Sequence, residues 1–326
     1  MLNTKPSVSD LYAPAREGLT AVEERMREYE PDQHVSLSAA IDHILASGGK
    51  RIRPAMSLLA SGIFSANFDH AVSLAAAVEM LHTASLVHDD LVDGSLLRRG
   101  VPTLNASWSP GATVLTGDYV FARAADFAAR TNNVRVMHIF SRTLMVLVNG
   151  EINQMFKSKG MASREDYYRR IYAKTASVFE AATEAAGVIG GATEDQIAAL
   201  AVFGREVGSA FQIIDDILDF TGEENHIGKP VGSDLRQGLV TMPTLYYLDE
   251  NQNDPDLAAL LDGKMGDVAL TATVVEAIRQ SKAIRAASDE AKKFVARGVA
   301  ALEILPKGLH RESLRGIAEY VVSRDL

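Results

Sequence analysis

The 326-residue sequence contains no cysteine, a single tryptophan and only 6% aromatic residues, and its net charge is −9. Without cysteine there is neither a disulfide nor a thiolate nucleophile, cysteine-ligated zinc is excluded, and a reducing compartment fits. The acidic balance offers no basic face with which to displace counterions from a nucleic acid, so general nucleic-acid binding is excluded too. Long uncharged apolar runs are also missing. Glu79 and His82 interrupt the most apolar stretch, which argues against a spanning helix and leaves at most peripheral membrane contact. The N-terminus shows no basic segment followed by an apolar core, so no signal peptide is expected and the location is expected to be cytoplasmic. Strand-like alternation is scarce. With 47% hydrophobic and 23% charged residues, over a length that can bury a sizeable core, the chain reads as all-α and globular. No repeat, linker or low-complexity segment divides it, so residues 1–326 are expected to form a single domain.

Residues 75–100, AAAVEMLHTASLVHDDLVDGSLLRRG, are the stretch around which the rest is organised. Val78, Leu81, Ser85 and Val87 or His88 recur at helical spacing, which predicts a buried helix whose last turn carries Asp89, Asp90 and Asp93. Asp89 and Asp93 are four residues apart and share one helical face, with roughly 5–6 Å between Cβ atoms, where like charges repel. They also lie at the helix C-terminus, whose partial charge is already negative, with Gly94 as the stop signal. An arrangement so unfavourable locally marks a functional site. A hard divalent cation such as Mg²⁺, bound by a few carboxylates plus phosphate oxygens, would relieve it. The pattern returns in residues 211–222, FQIIDDILDFTG, where Asp215, Asp216 and Asp219 end a second apolar run. One such cluster reads equally well as a solvated face. Two identical clusters on runs too apolar for surface helices point to two walls of one cavity, holding several Mg²⁺ around a diphosphate.

The remaining candidates lie around these two helices. Residues 13–30 form an amphipathic helix that packs either on its own core or on a second copy in a dimer, and residues 1–31 are peripheral. A short helix over 37–45 leads into Ser47-Gly48-Gly49-Lys50-Arg51-Ile52-Arg53-Pro54. Paired glycines let the backbone approach a ligand, and three cations within four residues can hold an anion at the start of the next helix. A turn with solvated basic side chains is the commoner origin of such a pattern, and the Walker spacing is absent. Helices are predicted over 54–64 and 70–93. His82 lies seven residues before Asp89, two turns away on the same face, and is either a core histidine or a substrate contact. Arg98 and Arg99, in a loop running to Gly111, either clamp a diphosphate or neutralise the neighbouring aspartates. Further helices are predicted over 111–129, 135–156 and 164–186. The first carries Asp118, and the second carries Glu151 and Gln154 as caps or core hydrogen-bonding groups. The third carries Lys174 and Thr175 before Gly187, Gly190 and Gly191 break it. The charge of Lys174 meets an anion or snorkels to the surface. The helix over 196–220 carries Gln212 three residues before Asp215. The polar loop 221–230, with Lys229 its only cation, is expected to act as a lid. Helices start again at 233 and 241, and two or three amphipathic helices between 257 and 322 read as scaffold.

Five stretches, in this order, resemble the trans-isoprenyl (polyprenyl) diphosphate synthases: GGKRIRP at 48–54, HTASLVHDDLVDGSLLRRG at 82–100, KTASVF at 174–179, FQIIDDILDF at 211–220 and GKPVGSDL at 228–235. The resemblance runs from Gly48 to Arg324. It implies a single large all-α helical bundle around a central active-site cavity, of the isoprenoid synthase type. It also implies a prenyltransferase in which about three Mg²⁺, held by the six aspartates, help an allylic diphosphate ionise by stabilising charge on the departing diphosphate. The allylic cation then alkylates isopentenyl diphosphate, and a proton is lost to the diphosphate just released. The same resemblance assigns isopentenyl diphosphate to Lys50, Arg53, His82 and Arg99. Arg98, Lys174, Thr175, Gln212 and Lys229 would contact the allylic diphosphate or steady the cation. A homodimer is implied, and a small regulatory subunit is an alternative partner.

The growing tail is expected to run back along the first acidic helix, so Ser85, Ala84 and Leu81 form its floor. In relatives making short products the first two positions commonly hold an aromatic plug, whereas here they are small. The tunnel can continue about one turn, roughly 5.4 Å, past Leu81 toward Ala77 and Val78. The expected product is a long all-E chain of about six to ten isoprene units, C30–C50; a farnesyl or geranylgeranyl diphosphate synthase is the alternative. One departure is Gly238-Leu239-Val240-Thr241, with leucine where many relatives carry lysine. That puts one diphosphate contact in doubt and resembles catalytic subunits that need a small partner. Terpene cyclases usually lack the GGKRIRP element, and a non-catalytic subunit would be expected to have lost one aspartate cluster.

Overall fold

The computed structural model describes residues 8–156, 163–222, 231–262 and 267–323. From the N-terminus come α1 (Val8–Leu11), a 3₁₀ turn (Ala13–Ala15), α2 (Arg16–Met26), α3 (Val35–Ala46), α4 (Ile52–Ile63) and α5 (Phe68–Val92). A minimal hairpin follows, β1 (Leu97–Arg98) and β2 (Val101–Pro102), then α6 (Leu104–Ser107), α7 (Pro110–Ala129) and α8 (Val134–Phe156). Next are α9 (Arg164–Ile171), a π-helical turn (Tyr172–Ala176), α10 (Ser177–Ile189) and α11 (Glu194–Thr221). The chain closes with α12 (Ser233–Arg236), α13 (Met242–Glu250), α14 (Pro255–Leu261), α15 (Val268–Gln280), α16 (Ala283–Ala301) and α17 (Leu309–Ser323). The chain groups into two compact units that interleave in sequence. One takes Met1–Leu144, Val178–Gly204 and Ala301–Ile317, the other Met145–Ser177, Arg205–Ala300 and Ala318–Leu326.

The first unit is assembled on α5, against which α2, α4 and α7 pack. Every residue from Ala71 to Leu81 is buried, so the helix has no polar stripe and reads as apolar all round. Ala71, Ser73 and the Ala75–Ala77 run are small, which lets neighbouring helices approach closely. Asn67 starts α5 by accepting a hydrogen bond from the His70 amide. Gly94, at φ 64°, stops it: the Ser95 amide donates to the Asp90 carbonyl and the Gly94 amide to Leu91, a Schellman pair. α2 buries Gly18, Val22 and Met26. These residues pack on α4 and α5 of the same chain.

In the second unit Phe220, at the end of α11, lies in a core with Leu235, Tyr247, Leu257, Leu260, Val274, Val275 and Ile278. The segments read as scaffold thus close around the helix end that bears the second aspartate cluster.

Several boundaries differ from the sequence reading. The stretch from 164 to 186 is two α-helices joined by the π turn, and α10 continues through Gly187, where a Cβ would press on Leu200. Gly187 therefore serves close packing, and the helix ends only before Gly191 (φ 68°). Beyond residue 254 four α-helices are described where two or three are predicted, because Asp254 with Pro255, Asp267, and the Ser281 break each restart the chain. By length and hydropathy α5 and α11 would each suffice to cross a membrane, contrary to the expectation that none would, yet both are mostly buried inside the protein.

Gly204 lies inside α11, where a Cβ would come within 3 Å of Thr183 Oγ1, the Phe179 carbonyl oxygen and Glu180 Cα. Replacing it with alanine gains roughly 1 kcal/mol of helix propensity but overpacks the α10–α11 contact by about 1–3 kcal/mol. Gly204→Ala is expected to lower the thermal midpoint measured by circular dichroism.

Candidate active site

At the end of α5 the three aspartates have different surroundings. Asp90 is buried, and Arg98 grips both of its oxygens: Nε donates to Oδ1 and Oδ2 at 3.0 and 2.9 Å, and Nη2 donates to Oδ1 at 2.8 Å. Asp89 is half-buried and Asp93 exposed. The minimal hairpin makes the grip possible. Leu97 pairs with Pro102 and Arg98 with Val101, and the two connecting residues, Arg99 and Gly100, both have positive φ (53° and 76°). That is a type I′ turn, which folds a strand back tightly. It returns Arg98 to Asp90 and sends Arg99 to the carbonyl oxygen of Gly48.

The basic turn before α4 is held from several sides. Gly48 (φ 72°) and Arg51 (φ 47°) both occupy the left-handed region, which for a non-glycine residue costs roughly 1–2 kcal/mol. Arg51 donates through Nε to Glu23 Oε1 at 2.5 Å and through Nη1 to Glu79 Oε1 at 2.8 Å. Burial opposes its charge, but Glu79 and Glu23 more than offset that and hold the guanidinium above the usual arginine range. Arg53 stacks over the Phe179 ring at 4.7 Å. His82, half-buried nearby, has its pKa driven well below the usual value by burial and then by Arg53, Arg98, Arg99 and Arg51. It is a neutral imidazole in a strongly positive neighbourhood, a place that selects for anions. Of the sequence candidates, His82, Arg53, Arg98 and Arg99 thus come together electrostatically.

The second cluster is organised by a chain of buried hydrogen bonds. Thr175 Oγ1 donates to Gln212 Oε1 (2.6 Å), Gln212 Nε2 donates to Asp216 Oδ1 (2.9 Å), and Tyr167 Oη donates to Asp216 Oδ2 (2.6 Å). Burial raises the Asp216 pKa to about 6, although Tyr167 and Gln212 pull it down. Burial, with Asp216 beside it, pushes the Tyr167 phenol well above its usual range. Asp219 receives hydrogen bonds from the Ser233 amide and hydroxyl and from the Asp234 amide, so it joins the end of α11 to the start of α12. Asp215 is half-buried.

The π turn explains how Tyr167 and Thr175 both reach α11. In a regular helix residues eight apart differ by roughly 80° in direction; a π turn removes about one residue of rotation and brings the two within roughly 20°. The same turn sets Lys174 against Glu151 of α8, Nζ to Oε1 at 3.0 Å. Gly150 allows that approach, since a Cβ there would collide with that of Ala173. Lys229 and the lid expected over 221–230 fall largely outside the described residues. Leu81 and Ala84 are buried and Ser85 is half-buried, its hydroxyl donating to the His82 carbonyl.

Sequence reasoning gave no role to Tyr167, and it treated Glu151 as a cap or core group, Arg51 as one more free cation and Glu79 as an interruption. Only a charged residue inside an otherwise apolar run, Glu79, signalled a buried partner in advance. Among the described residues no three His, Cys, Asp or Glu side chains enclose a metal by themselves. The donors are nevertheless hard carboxylate oxygens at helix ends, which suits a cation that completes its shell with water and substrate phosphate.

Helix ends rich in hard oxygen donors, and a separate turn rich in guanidinium groups, suit a substrate that is both metal-bound and anionic. The chain belongs to the polyprenyl synthetase family, whose model matches residues 34–278. It is 39% identical over 317 residues to heptaprenyl diphosphate synthase component 2 of Geobacillus stearothermophilus, spanning 97% of this chain and 98% of that one. Among solved structures it is similar to a decaprenyl diphosphate synthase from Rhodobacter capsulatus, with TM-score 0.87, 36% identity, and 98% and 99% of the two chains covered. It is also similar to a polyprenyl synthase from Caulobacter crescentus complexed with calcium and isoprenyl diphosphate, with TM-score 0.89, 35% identity and the same coverage.

A carboxyl with a raised native pKa is favoured in its protonated form, so Asp216 adds stability below about pH 6 that is lost as pH rises through that value. In chelator-treated protein, the unfolding free energy of wild type relative to Asp216→Asn is expected to fall by roughly 2 kcal/mol between pH 4.5 and 7. Urea titrations across that range measure it.

Proposed function

We propose that this chain condenses isopentenyl diphosphate head-to-tail with an allylic diphosphate and repeats the step to give an all-E polyprenyl diphosphate of about six to ten isoprene units. The observation that carries the length is the small, buried Ala84 next to half-buried Ser85, with Leu81, Val78 and Ala77 beyond them on α5, none of the five being aromatic. The names of the relatives, heptaprenyl and decaprenyl synthases, support the same range.

The exposure pattern divides the six aspartates. Asp89, Asp93 and Asp215 are the more accessible and would hold Mg²⁺, about three ions with substrate bound; Asp90, Asp216 and Asp219 are engaged by protein donors and orient the helix ends. Bound Mg²⁺ would supply the positive charge that stabilises diphosphate as it departs. Lys50, Arg53 and Arg99, beside neutral His82, would bind the diphosphate of the isopentenyl substrate. Arg98, Lys174 and Lys229 would bind that of the allylic substrate, Lys174 exchanging Glu151 for phosphate. Thr175 and Gln212 would face the allylic cation, their orientation fixed by Asp216 and Tyr167.

A homodimer fits the exposed apolar residues Met145, Val148, Ile152 and Met155, which recur at helical spacing on α8. The relative termed component 2 favours an additional small subunit as the second reading, and Leu239 in place of the usual lysine agrees with it.

Incubating the pure protein with farnesyl and isopentenyl diphosphates and Mg²⁺, then sizing the products by mass spectrometry, tests activity, partner need and length together. Long-chain product from the protein alone is expected, and none is expected with chelator. Ala84→Phe is expected to shorten the product to about four units while retaining condensation, because the ring occupies the path one turn before Leu81. An unchanged product distribution would remove the tunnel assignment. Light scattering should give the mass of two chains, and Ile152→Asp should halve it.

A further inference from the structure

Arg51 stands inside the basic turn, yet two carboxylates consume its charge. Glu23 of α2 takes Nε and Glu79 of α5 takes Nη1, while Nη2 reaches the Leu45 carbonyl at the end of α3. Glu79 is 5% exposed and lies within the most thoroughly buried stretch of α5. One residue earlier, Tyr12 Oη donates to the Lys50 carbonyl at 2.9 Å, and Arg99 donates to the carbonyl of Gly48. The backbone from 48 to 51 is therefore fastened by Tyr12, Glu23, Glu79 and Arg99, from four different parts of the chain. It needs such fastening, because Arg51 is held at φ 47°, a conformation that a non-glycine residue keeps only where its surroundings over-determine it.

We propose that Glu23 and Glu79 are positioning residues for isopentenyl diphosphate: they fix Arg51 as a strut, and together with Tyr12 they set the backbone from which Lys50 and Arg53 meet the anion. This rests on the assignment of the basic turn to isopentenyl diphosphate made above. It gives the N-terminal segment, peripheral by sequence, a specific part in recognition of one substrate.

The strut has a signature that simple electrostatics does not share. Glu23 is an acid close to an anion-binding turn, so removing its charge makes the local potential more positive. If Arg51 were itself a phosphate ligand, Glu23→Gln would release it and tighten binding. If Arg51 is a strut, the same substitution lets the left-handed turn relax and loosens binding, because Lys50 and Arg53 lose their placement. The two roles predict opposite signs.

The experiment compares wild type, Glu23→Gln and Tyr12→Phe in the full chain, with Glu79→Gln as a third variant at the buried position. Glu23 is a third exposed, so its neutral variant is expected to fold. Two quantities are measured: KM for isopentenyl and farnesyl diphosphates, and calorimetric binding of isopentenyl diphosphate in chelator, which needs no turnover. Glu23→Gln is expected to raise KM for isopentenyl diphosphate about tenfold, as for a misplaced binding group. It should weaken calorimetric binding by the same factor and leave KM for farnesyl diphosphate and kcat unchanged. Tyr12→Phe should move the same quantities in the same direction by less. Unchanged or tighter binding in Glu23→Gln, or an equal rise in KM for both substrates, overturns the strut. Failure of the wild type to bind isopentenyl diphosphate overturns it together with the assignment of the turn. An inactive wild type that still binds would overturn only the proposed reaction.

Discussion

Carboxylates gathered at the C-terminal end of a helix repel one another and also meet the negative pole of the helix. Most of the local structure around α5 and α11 answers this repulsion. Asp90 is met by the guanidinium of Arg98, Asp216 by a phenol and an amide, and Asp219 by the amides that open α12. Each answer also joins the helix end to a specific neighbouring element. The hairpin is needed to return Arg98, the π turn to align Tyr167 with Thr175, and the short α12 to present its amides. The electrostatic cost of the acids thus dictates irregular backbone that helix propensity alone would not produce.

On the basic side the same principle works with opposite sign. Burial, and then the charges of four guanidinium groups, hold His82 neutral, so the imidazole can donate or accept without adding charge. One of the four, Arg51, is balanced by Glu23 and Glu79, and another, Arg98, by Asp90. These pairings limit the surplus of positive charge offered to a substrate and fix the backbone that carries it. A turn made only of unpaired cations would be mobile and would attract any anion. Pairing Arg51 and Arg98 with carboxylates converts charge into geometry.

The all-α class, the two acidic helix ends and the helix starts near residues 35, 110, 134 and 194 were legible because they depend on local signals: apolar spacing, caps, glycine stops and proline at the first helical position. Gly94 as the end of α5 was read correctly for that reason. What escaped was everything decided by contacts distant in sequence. Nothing near Arg51 reveals that its partners stand at positions 23 and 79, and nothing near Tyr167 points to Asp216. The hairpin escaped because two residues per strand leave no alternation to see, although Arg99-Gly100 is a reasonable type I′ pair. Gly187 was read as a breaker because glycine for close packing and glycine for stopping look alike without the neighbouring helix in view.

The π turn at Tyr172–Ala176 has a further meaning for how this chain can change. Such a bulge is the trace of a single extra residue absorbed without unwinding the helix. Were the same residues wound as an ordinary α-helix, Thr175 would swing through roughly 100° relative to Tyr167 and the two partners of α11 would separate; losing one residue between them together with the bulge would keep them aligned. Its register has become part of the chemistry: the bulge and the extra residue can be lost together, but neither alone without breaking the hydrogen-bonded chain beneath.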